Sequence, residues 1–259
     1  MQFADLMQLE NHGPDTFIGV GPRYPWGGLY GGQIVAQALR AAGHSVDPSH
    51  RVHSLHAYFI RRGHDDAPVR FEVDRIRDGR SFTTRRVVAR QSAGAILNMS
   101  CSFSAPEGDD DLQRHPMPKV PAPDTIADEA GFLELMQRRD ALSDPQGRRT
   151  AWFRTREPFG DDPIDHACAL AYFSDDFPCD AVRLRHPEAR RKDGDGLWLT
   201  SLDHAIWFHH PARADRWMLH DVHCQTLVGS HGLATAQVFS ESGQHVATVT
   251  QEVLIRRRR

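Results

Sequence analysis

The sequence predicts an α+β fold built from two tandem copies of one small domain, each a central helix wrapped by a curved antiparallel sheet. The chain has 259 residues, 40% of them hydrophobic, which is enough for two separate cores. Two similar segments, HSLHAYFIRR (53–62) and TSLDHAIWFHH (200–210), align at Ser54 and Ser201, about 147 residues apart. Each copy also shows a helix rich in small residues followed by several strand patterns. Self-similarity at this spacing is too long for a solenoid and indicates a duplicated domain.

The first copy begins with a helix and continues with strands. In GGQIVAQALRAAG (31–43) the apolar positions recur every three or four residues, the alanines keep the helix thin, and Gly43 fits its end. Alternating or continuous apolar patterns then predict strands, because one face of each would be buried. These strands are expected over Val52–Ile60, Val69–Val73, Phe82–Arg90 and Ala95–Phe103.

A Pro-rich, acidic segment over residues 104–125 separates the copies. We therefore expect an N-terminal domain over 1–104, a linker over 105–128 and a C-terminal domain over 129–259. A short amphipathic helix over Glu129–Leu142 is expected to cap one end, and the second copy, beginning near Trp152, is expected to contain a small-residue helix over Ile164–Ser174. The charged stretch 183–196 is typical of a mobile loop. Strands are expected over 151–156, 198–208, 216–227, 232–240 and 245–255.

Composition argues against several classes of protein. The formal net charge is −3, so there is no basic field for nucleic acid. No apolar run approaches the roughly 18 residues of a membrane span, and the N-terminus lacks the basic region of a signal peptide. The four cysteines lack CxxC spacing and the sixteen histidines are scattered, which favours a reducing compartment and no metal site. We expect a cytoplasmic protein without a metal or other cofactor.

Five segments together resemble the acyl-CoA thioesterase II family of double-hotdog proteins. They are GGLYGGQIVAQAL (27–39), VHSLHAYFIRRG (52–63), RDGRSFTTRRVVARQ (77–91), SLDHAIWFH (201–209) and VTQE (249–252). The resemblance implies two tandem hotdog domains and the hydrolysis of acyl-CoA to a free fatty acid and coenzyme A, a reaction of fatty acid metabolism. It also implies direct attack by water, with neither a metal nor a covalent intermediate. The absence of a GxSxG motif agrees with this, since acyl-serine hydrolases carry one.

The resemblance also implies three catalytic residues in the second copy. The family has an Asp after the small-residue helix, a Thr or Ser before the next strand and a Gln in the last strand, which correspond to Asp175, Ser201 and Gln251. From the residues alone, each also has a structural interpretation. Asp175 could be a turn residue, and Gln251 a buried amide with structural partners. Asp176 and Asp203 are competing carboxylates.

Two further features concern the rest of the site. Gln251 is expected to be specific to the second copy, because the alignment places Ser102 opposite it in the first. The first turn of the first helix, Gly31, Gly32 and Gln33, is a candidate for binding substrate, since backbone N–H groups at a helix N-terminus stabilise an oxyanion.

Two other functions stay open at this point. A decayed hotdog protein would bind acyl-CoA or acyl chains without hydrolysing them. An enoyl-CoA hydratase would need an Asp and a His on one segment, and Asp161, Asp165 and His166 stand before or at the start of the second helix instead. In each case the chain is expected to be a pseudo-dimer whose two sheets join, and to assemble further into a homo-oligomer.

Overall fold

The computed structural model of the protein describes residues 1–108, 110–127, 134–190 and 196–257. Within these residues no helix is both long and apolar enough to cross a membrane. The N-terminal half contains the predicted helix and four predicted strands, preceded by a short helix and two short strands. Its elements are α1 (Phe3–Leu6), β1 (Glu10–Asn11), β2 (Thr16–Gly19), α2 (Gly31–Gly43), β3 (Arg51–Phe59), β4 (Val69–Asp78), β5 (Phe82–Gln91) and β6 (Gly94–Ser104).

The C-terminal half again has two strands, a long helix and then further strands, with an additional helix after the long one. Its elements are β7 (Met136–Asp144), β8 (Arg148–Thr155), α3 (Pro163–Ser174), α4 (Pro178–Arg185), β9 (Leu197–Ser201), β10 (Asp203–Phe208), β11 (Met218–Val228), β12 (His231–Ser240) and β13 (His245–Arg257).

Two expectations for this half were wrong. The helix expected over 129–142 is a strand from Met136 onward, because these residues pair with β8 across the sheet, while residues 129–133 lie outside the described residues. The loop expected over 183–196 begins inside α4 and continues as a 3-10 helix over Pro187–Arg190. Residues 191–195 of that stretch lie outside the described residues.

One antiparallel sheet joins the two halves. The strand order is β1-β2-β4-β5-β6-β3-β10-β13-β12-β11-β8-β7, and β9 pairs with β13. The halves meet where β3 pairs with β10, with Leu55 opposite Ile206 and Ala57 opposite His204. The prediction of a double hotdog whose two sheets join into one is confirmed.

The two long helices pack against each other inside the curved sheet. α2 buries nearly every residue of GGQIVAQALRAAG, and α3 is buried continuously from His166 to Ser174. A helix that is apolar on all sides belongs in the interior. Small residues allow the helices to approach closely: a Cβ added to Gly43 would lie 2.8 Å from Ile164 Cγ1.

The sheet register corrects the alignment of the two copies. In the first copy, Leu55 lies opposite Cys101 on the inner face of the sheet. In the second copy, Ala205 pairs with Thr250, so the preceding residue, His204, lies opposite Gln251. The β5–β6 and β12–β13 hairpins give the same alignment, because the buried pair Ala89–Leu97 of the first corresponds to the buried pair Val238–Ala247 of the second. The structural counterparts in copy one are therefore Leu55 for His204, Cys101 rather than Ser102 for Gln251, and Val52 rather than Ser54 for Ser201.

Candidate active site

The N-terminus of α2 meets the C-terminus of α3 at Asp175. The backbone N–H of Gly32 donates to Asp175 Oδ2 at 2.9 Å. A Cβ on Gly31 would lie 2.6 Å from that same oxygen, and a Cβ on Gly32 would lie 2.4 Å from the carbonyl oxygen of Tyr172. The two glycines therefore permit the approach. Asp175 ends one helix, where a carboxylate is disfavoured, but it caps the positive end of the other.

Ser201 and Gln251 complete a hydrogen-bonded set with this carboxylate. Ser201 ends β9 and lies opposite Val253 of β13, two residues beyond Gln251. The Ser201 hydroxyl donates to Asp175 Oδ1 at 3.2 Å, and Gln251 Nε2 donates to Ser201 Oγ at 2.7 Å. The structure thus brings together Asp175, Ser201 and Gln251, which the sequence separates by up to 76 residues.

The environment of Asp175 suits a base at neutral pH. Burial raises its pKa to about 7 against the opposing effect of hydrogen bonds from Gln251, Gly32 and Ser201, while the neighbouring charge of Asp176 raises it further. A general base works best when its pKa lies near the working pH. The arrangement can therefore accept a proton from a water molecule held beside it.

The two competing carboxylates are engaged elsewhere. Arg138 Nη1 donates to Asp176 Oδ2 at 3.0 Å, and the Asp176 side chain is 2% exposed. Burial outweighs Arg138 and raises the pKa of Asp176 to about 6. Asp203 accepts the backbone N–H of Glu252 at 2.6 Å and so stabilises the sheet.

Gln33 does not join the site through its side chain. It is fully buried, its Oε1 accepts from the Tyr24 hydroxyl at 2.8 Å, and its Nε2 lies 3.3 Å from Gln37 Oε1. Gly31 and Gly32 lie at the carboxylate, whereas Gln33 belongs to a buried polar cluster behind it. The role in substrate binding expected for Gly31, Gly32 and Gln33 stays a prediction.

Two neighbours of the site were not assigned a place in it from the sequence. Cys179 was interpreted as a core residue, but its Sγ lies 3.7 Å from Ser201 Oγ and 3.9 Å from Gln251 Nε2. Burial raises the pKa of its thiol to about 12, so it stays protonated and is no nucleophile. His204 contacts Gln251 directly. Cys179 lies in the first turn of α4, a helix that the sequence did not predict, and the strand register that identifies His204 is not visible in the sequence.

The residues considered for a hydratase lie at the other end of α3. Asp165 pairs with Arg40 at 3.3 Å, and His166 Nδ1 accepts the backbone N–H of Ala214 at 3.3 Å. Roughly three helical turns separate them from Asp175. Among the described residues no three His, Cys, Asp or Glu side chains are grouped so as to hold a metal ion.

A cavity of about 700 Å³ lies near that far end, away from Asp175. Its walls include Val52, Phe103, Ile164 and Phe208. Val52 is the copy-one counterpart of Ser201, so this cavity occupies the duplicate position of the site. Its size alone does not make it the reaction centre, because Val52 supplies no hydroxyl where Ser201 supplies one.

Two family models match the chain in tandem. The model of the acyl-CoA thioesterase N-terminal domain matches residues 21–104, and that of the acyl-CoA thioesterase C-terminal domain matches residues 109–255. Together they span most of the sequence.

Individual proteins show the same likeness over full length. Acyl-CoA thioesterase 2 of Haemophilus influenzae is 35% identical over 280 residues, covering 97% of this chain and 96% of that protein. Acyl-coenzyme A thioesterase 8 of Homo sapiens is 31% identical, covering 97% of this chain and 88% of that protein. The crystal structure of acyl-CoA thioesterase II TesB2 from Mycobacterium marinum superposes with a TM-score of 0.85 at 35% identity, covering 98% of this chain and 97% of that one.

Proposed function

The chain belongs to the acyl-CoA thioesterase family, and from this premise we propose that it hydrolyses acyl-CoA to a free fatty acid and coenzyme A by direct attack of water. The observation that carries the proposal is the buried carboxylate of Asp175, which receives hydrogen bonds from Gly32 and Ser201 and has a pKa near neutrality. No covalent nucleophile is required, since a thioester has weak resonance and a good leaving group.

In the proposed reaction Asp175 removes a proton from water while the water oxygen attacks the thioester carbonyl carbon. Ser201 and Gln251 hold the water and the carbonyl group. The positive end of α2 binds the charged Asp175 before reaction, and it stabilises the oxyanion once Asp175 has taken the proton and become neutral. The C–S bond then breaks, and the coenzyme A sulfur takes the proton from Asp175. Water is thus divided between the fatty acid and the thiol, and Asp175 returns to its charged form.

The test is thiol release from acyl-CoA. Purified protein is incubated with acyl-CoA of several chain lengths, and free coenzyme A is trapped with a thiol reagent. Turnover that yields equal amounts of thiol and free fatty acid supports the proposal. If no chain length is hydrolysed while acyl-CoA still raises the melting temperature, the chain is a binding protein instead.

We also propose that the chain forms a homo-oligomer. Aromatic side chains stand exposed on the outer side of the sheet: Tyr58 is 62% exposed, Trp198 44% and Trp207 38%. Surfaces of this kind are often covered by a partner. Light scattering during gel filtration measures the mass directly, and a particle of 29.2 kDa at every concentration would contradict the proposal.

The remaining proposals concern location and domain division. Cytoplasmic location is supported by the four cysteines, which are all free thiols, and cell fractionation tests it.

Domains over 1–104 and 129–259 with a linker over 105–128 are supported by the lack of helix or strand over 105–108 and 110–122. First cleavage sites outside 105–128 in limited proteolysis would contradict this division.

A further inference from the structure

His204 is a fully buried imidazole beside the site, and the reaction as proposed gives it no task. It lies on β10 with no exposed surface. Its Nδ1 is 2.5 Å from Gln251 Oε1, and its Nε2 is 2.8 Å from Ser174 Oγ. Both ring nitrogens therefore have a partner, and one partner is the amide that binds Ser201.

The protonation of this ring decides the direction of the neighbouring hydrogen bonds. Burial lowers the pKa of His204 to about 4, so the ring carries one N–H at neutral pH. An N–H on Nδ1 donates to Gln251 Oε1, which leaves the amide NH₂ to face Ser201 and the Ser201 hydroxyl to face Asp175. An N–H on Nε2 makes Nδ1 an acceptor, so the amide turns over and its carbonyl draws the Ser201 hydroxyl away from Asp175.

We propose that His204 is a positioning residue that, as its Nδ1–H tautomer, holds the Gln251 amide in the orientation that directs the Ser201 hydroxyl to Asp175. Gln251 itself requires this tautomer, because its NH₂ faces Ser201 and its carbonyl oxygen faces Nδ1. The Ser174 hydroxyl lies 3.0 Å from the Ala171 carbonyl oxygen and 2.8 Å from Nε2, and in this tautomer it donates to Nε2. All bonds then run in one direction, from Ser174 through His204, Gln251 and Ser201 to Asp175. The inference rests on the proposed role of Asp175 as the base.

The first copy shows that the fold itself does not require an imidazole here. Leu55 and Cys101 occupy the places of His204 and Gln251, and both are buried. An apolar side chain of similar size therefore fits between helix and sheet at this position. This makes His204→Leu a suitable variant, because it removes the donor and keeps the packing.

The main experiment compares His204→Leu with His204→Asn. Asn attaches its amide nitrogen to Cγ, as His attaches Nδ1, so it retains a donor in nearly the same place. We expect His204→Leu to lower kcat by about 10- to 100-fold, the range found when a partner that orients a metal ligand is removed. KM should change by less than about threefold, since substrate contacts remain. His204→Asn should recover most of kcat.

The pH profile separates positioning from general support of the fold. Hydrogen bonds from Gln251 and Ser201 lower the pKa of Asp175 against the effect of burial. Their loss in His204→Leu should move the acid limb of kcat/KM to higher pH, because the limb reports the ionisation of the free enzyme's base. His204→Asn should keep the limb where the wild type has it, near pH 7.

His220→Leu is the matched control. His220 is also buried, at 2% exposure, its pKa is lowered by burial to about 3, and it lies on β11 against Phe153. Its Nε2 has no hydrogen-bond partner in the part of the chain that the structure describes. We expect wild-type kcat and an unmoved acid limb for this variant.

The inference would be overturned if His204→Leu folds and keeps both the wild-type kcat and the wild-type acid limb of kcat/KM. It would also be overturned if His204→Asn folds and is as slow as His204→Leu. If His204→Leu does not fold, His204→Gln decides, since Gln places its amide near Nε2 and leaves Nδ1 unreplaced. A slow His204→Gln enzyme with a raised limb supports the inference, and a wild-type rate overturns it. Wild-type activity in Asp175→Asn would instead remove the proposed base.

Discussion

The buried position of Asp175 lowers the stability of the charged carboxylate and at the same time makes it a stronger base. Burial favours the neutral carboxyl, while Gly32 and Ser201 supply hydrogen bonds to the charged form. A residue with a pKa near 7 is partly charged under neutral conditions and is a stronger base than an ordinary aspartate. The cost of the buried charge is therefore part of what makes the residue useful.

Asp175→Asn should lower kcat by about 10² to 10⁴, the range expected for the loss of a general base. KM should move little, because the contacts with the acyl chain and coenzyme A remain. Thiol release under saturating acyl-CoA measures this. Asp203→Asn is the control, since its side-chain oxygen can still accept the N–H of Glu252. The reverse pattern, with Asp203→Asn inactive and Asp175→Asn active, would reassign the base.

The same variant should be more stable than the wild type at alkaline pH. The folded pKa of Asp175, about 7, lies above its ordinary value of 3.8, so stability from the neutral form is present below pH 4 and is lost as the pH rises through 7. Asn stays neutral throughout. We expect the unfolding free energy of Asp175→Asn to exceed that of the wild type by a margin that grows from pH 4 to pH 8, by on the order of 1–4 kcal/mol in all, and thermal or urea denaturation at several pH values measures it. A difference independent of pH would contradict this origin.

At the scale of single residues, the sequence indicated candidate site residues but not the hydrogen bonds between them and their neighbours. Asp175, Ser201 and Gln251 could be chosen because their motifs resemble a family, and the burial of Gln251 followed from its strand pattern. The contact of His204 with Gln251 could not be predicted, because the repeated letters align Ser54 with Ser201 while the strands align Val52 with it. A shift of two residues keeps the same face of a strand and leaves no trace in the apolar pattern.

Among the elements, the junction of α2 and α3 depends most on residue size. Gly32→Ala would place a Cβ 2.4 Å from the Tyr172 carbonyl oxygen, which is backbone and cannot move aside easily. We expect a loss of about 1–3 kcal/mol in unfolding free energy, as for other overpacked sites, with reduced activity because Gly32 N–H leaves Asp175. Urea denaturation measures the loss. Gly160→Ala is the control, since no atom lies within 4 Å of its Cβ position, and an equal loss there would contradict the argument.

Helices and strands with one buried face were predicted well. They were predicted poorly where pairing or packing with a neighbouring element determines the secondary structure. The bounds of α2 follow from spacing and from Gly43 alone. Most of β7 was predicted as part of a short amphipathic helix, and its pairing with β8 makes it a strand. α4 was not predicted, and its last residues fell in the charged stretch expected to be a loop, yet Pro178 stands in the first turn of that helix, where proline is favoured.

On the scale of the whole molecule, the halves depend on each other through β3 and β10. Residues 1–110 expressed alone would expose the edge of β3, and unpaired edges promote association. We expect this fragment to dimerise or aggregate, while the full chain stays soluble under the same conditions. Sedimentation of both proteins tests it, and a stable monomeric fragment would show that the first copy is self-sufficient. The sequence predicts that the sheets join, but the choice of β3 and β10 as the seam comes only from the pairing.

The apolar pair Leu55 and Cys101 fixes how many reaction centres the chain can carry. Two identical subunits would have to carry His204 and Gln251 twice, and any change in one centre would be repeated in the other. The fused chain is free of that constraint, since only its second half has these polar groups. We therefore expect one reaction centre per chain of 29.2 kDa, which active-site titration would measure. We expect substitutions at the duplicate position in the first half to leave turnover unchanged as long as the fold is kept.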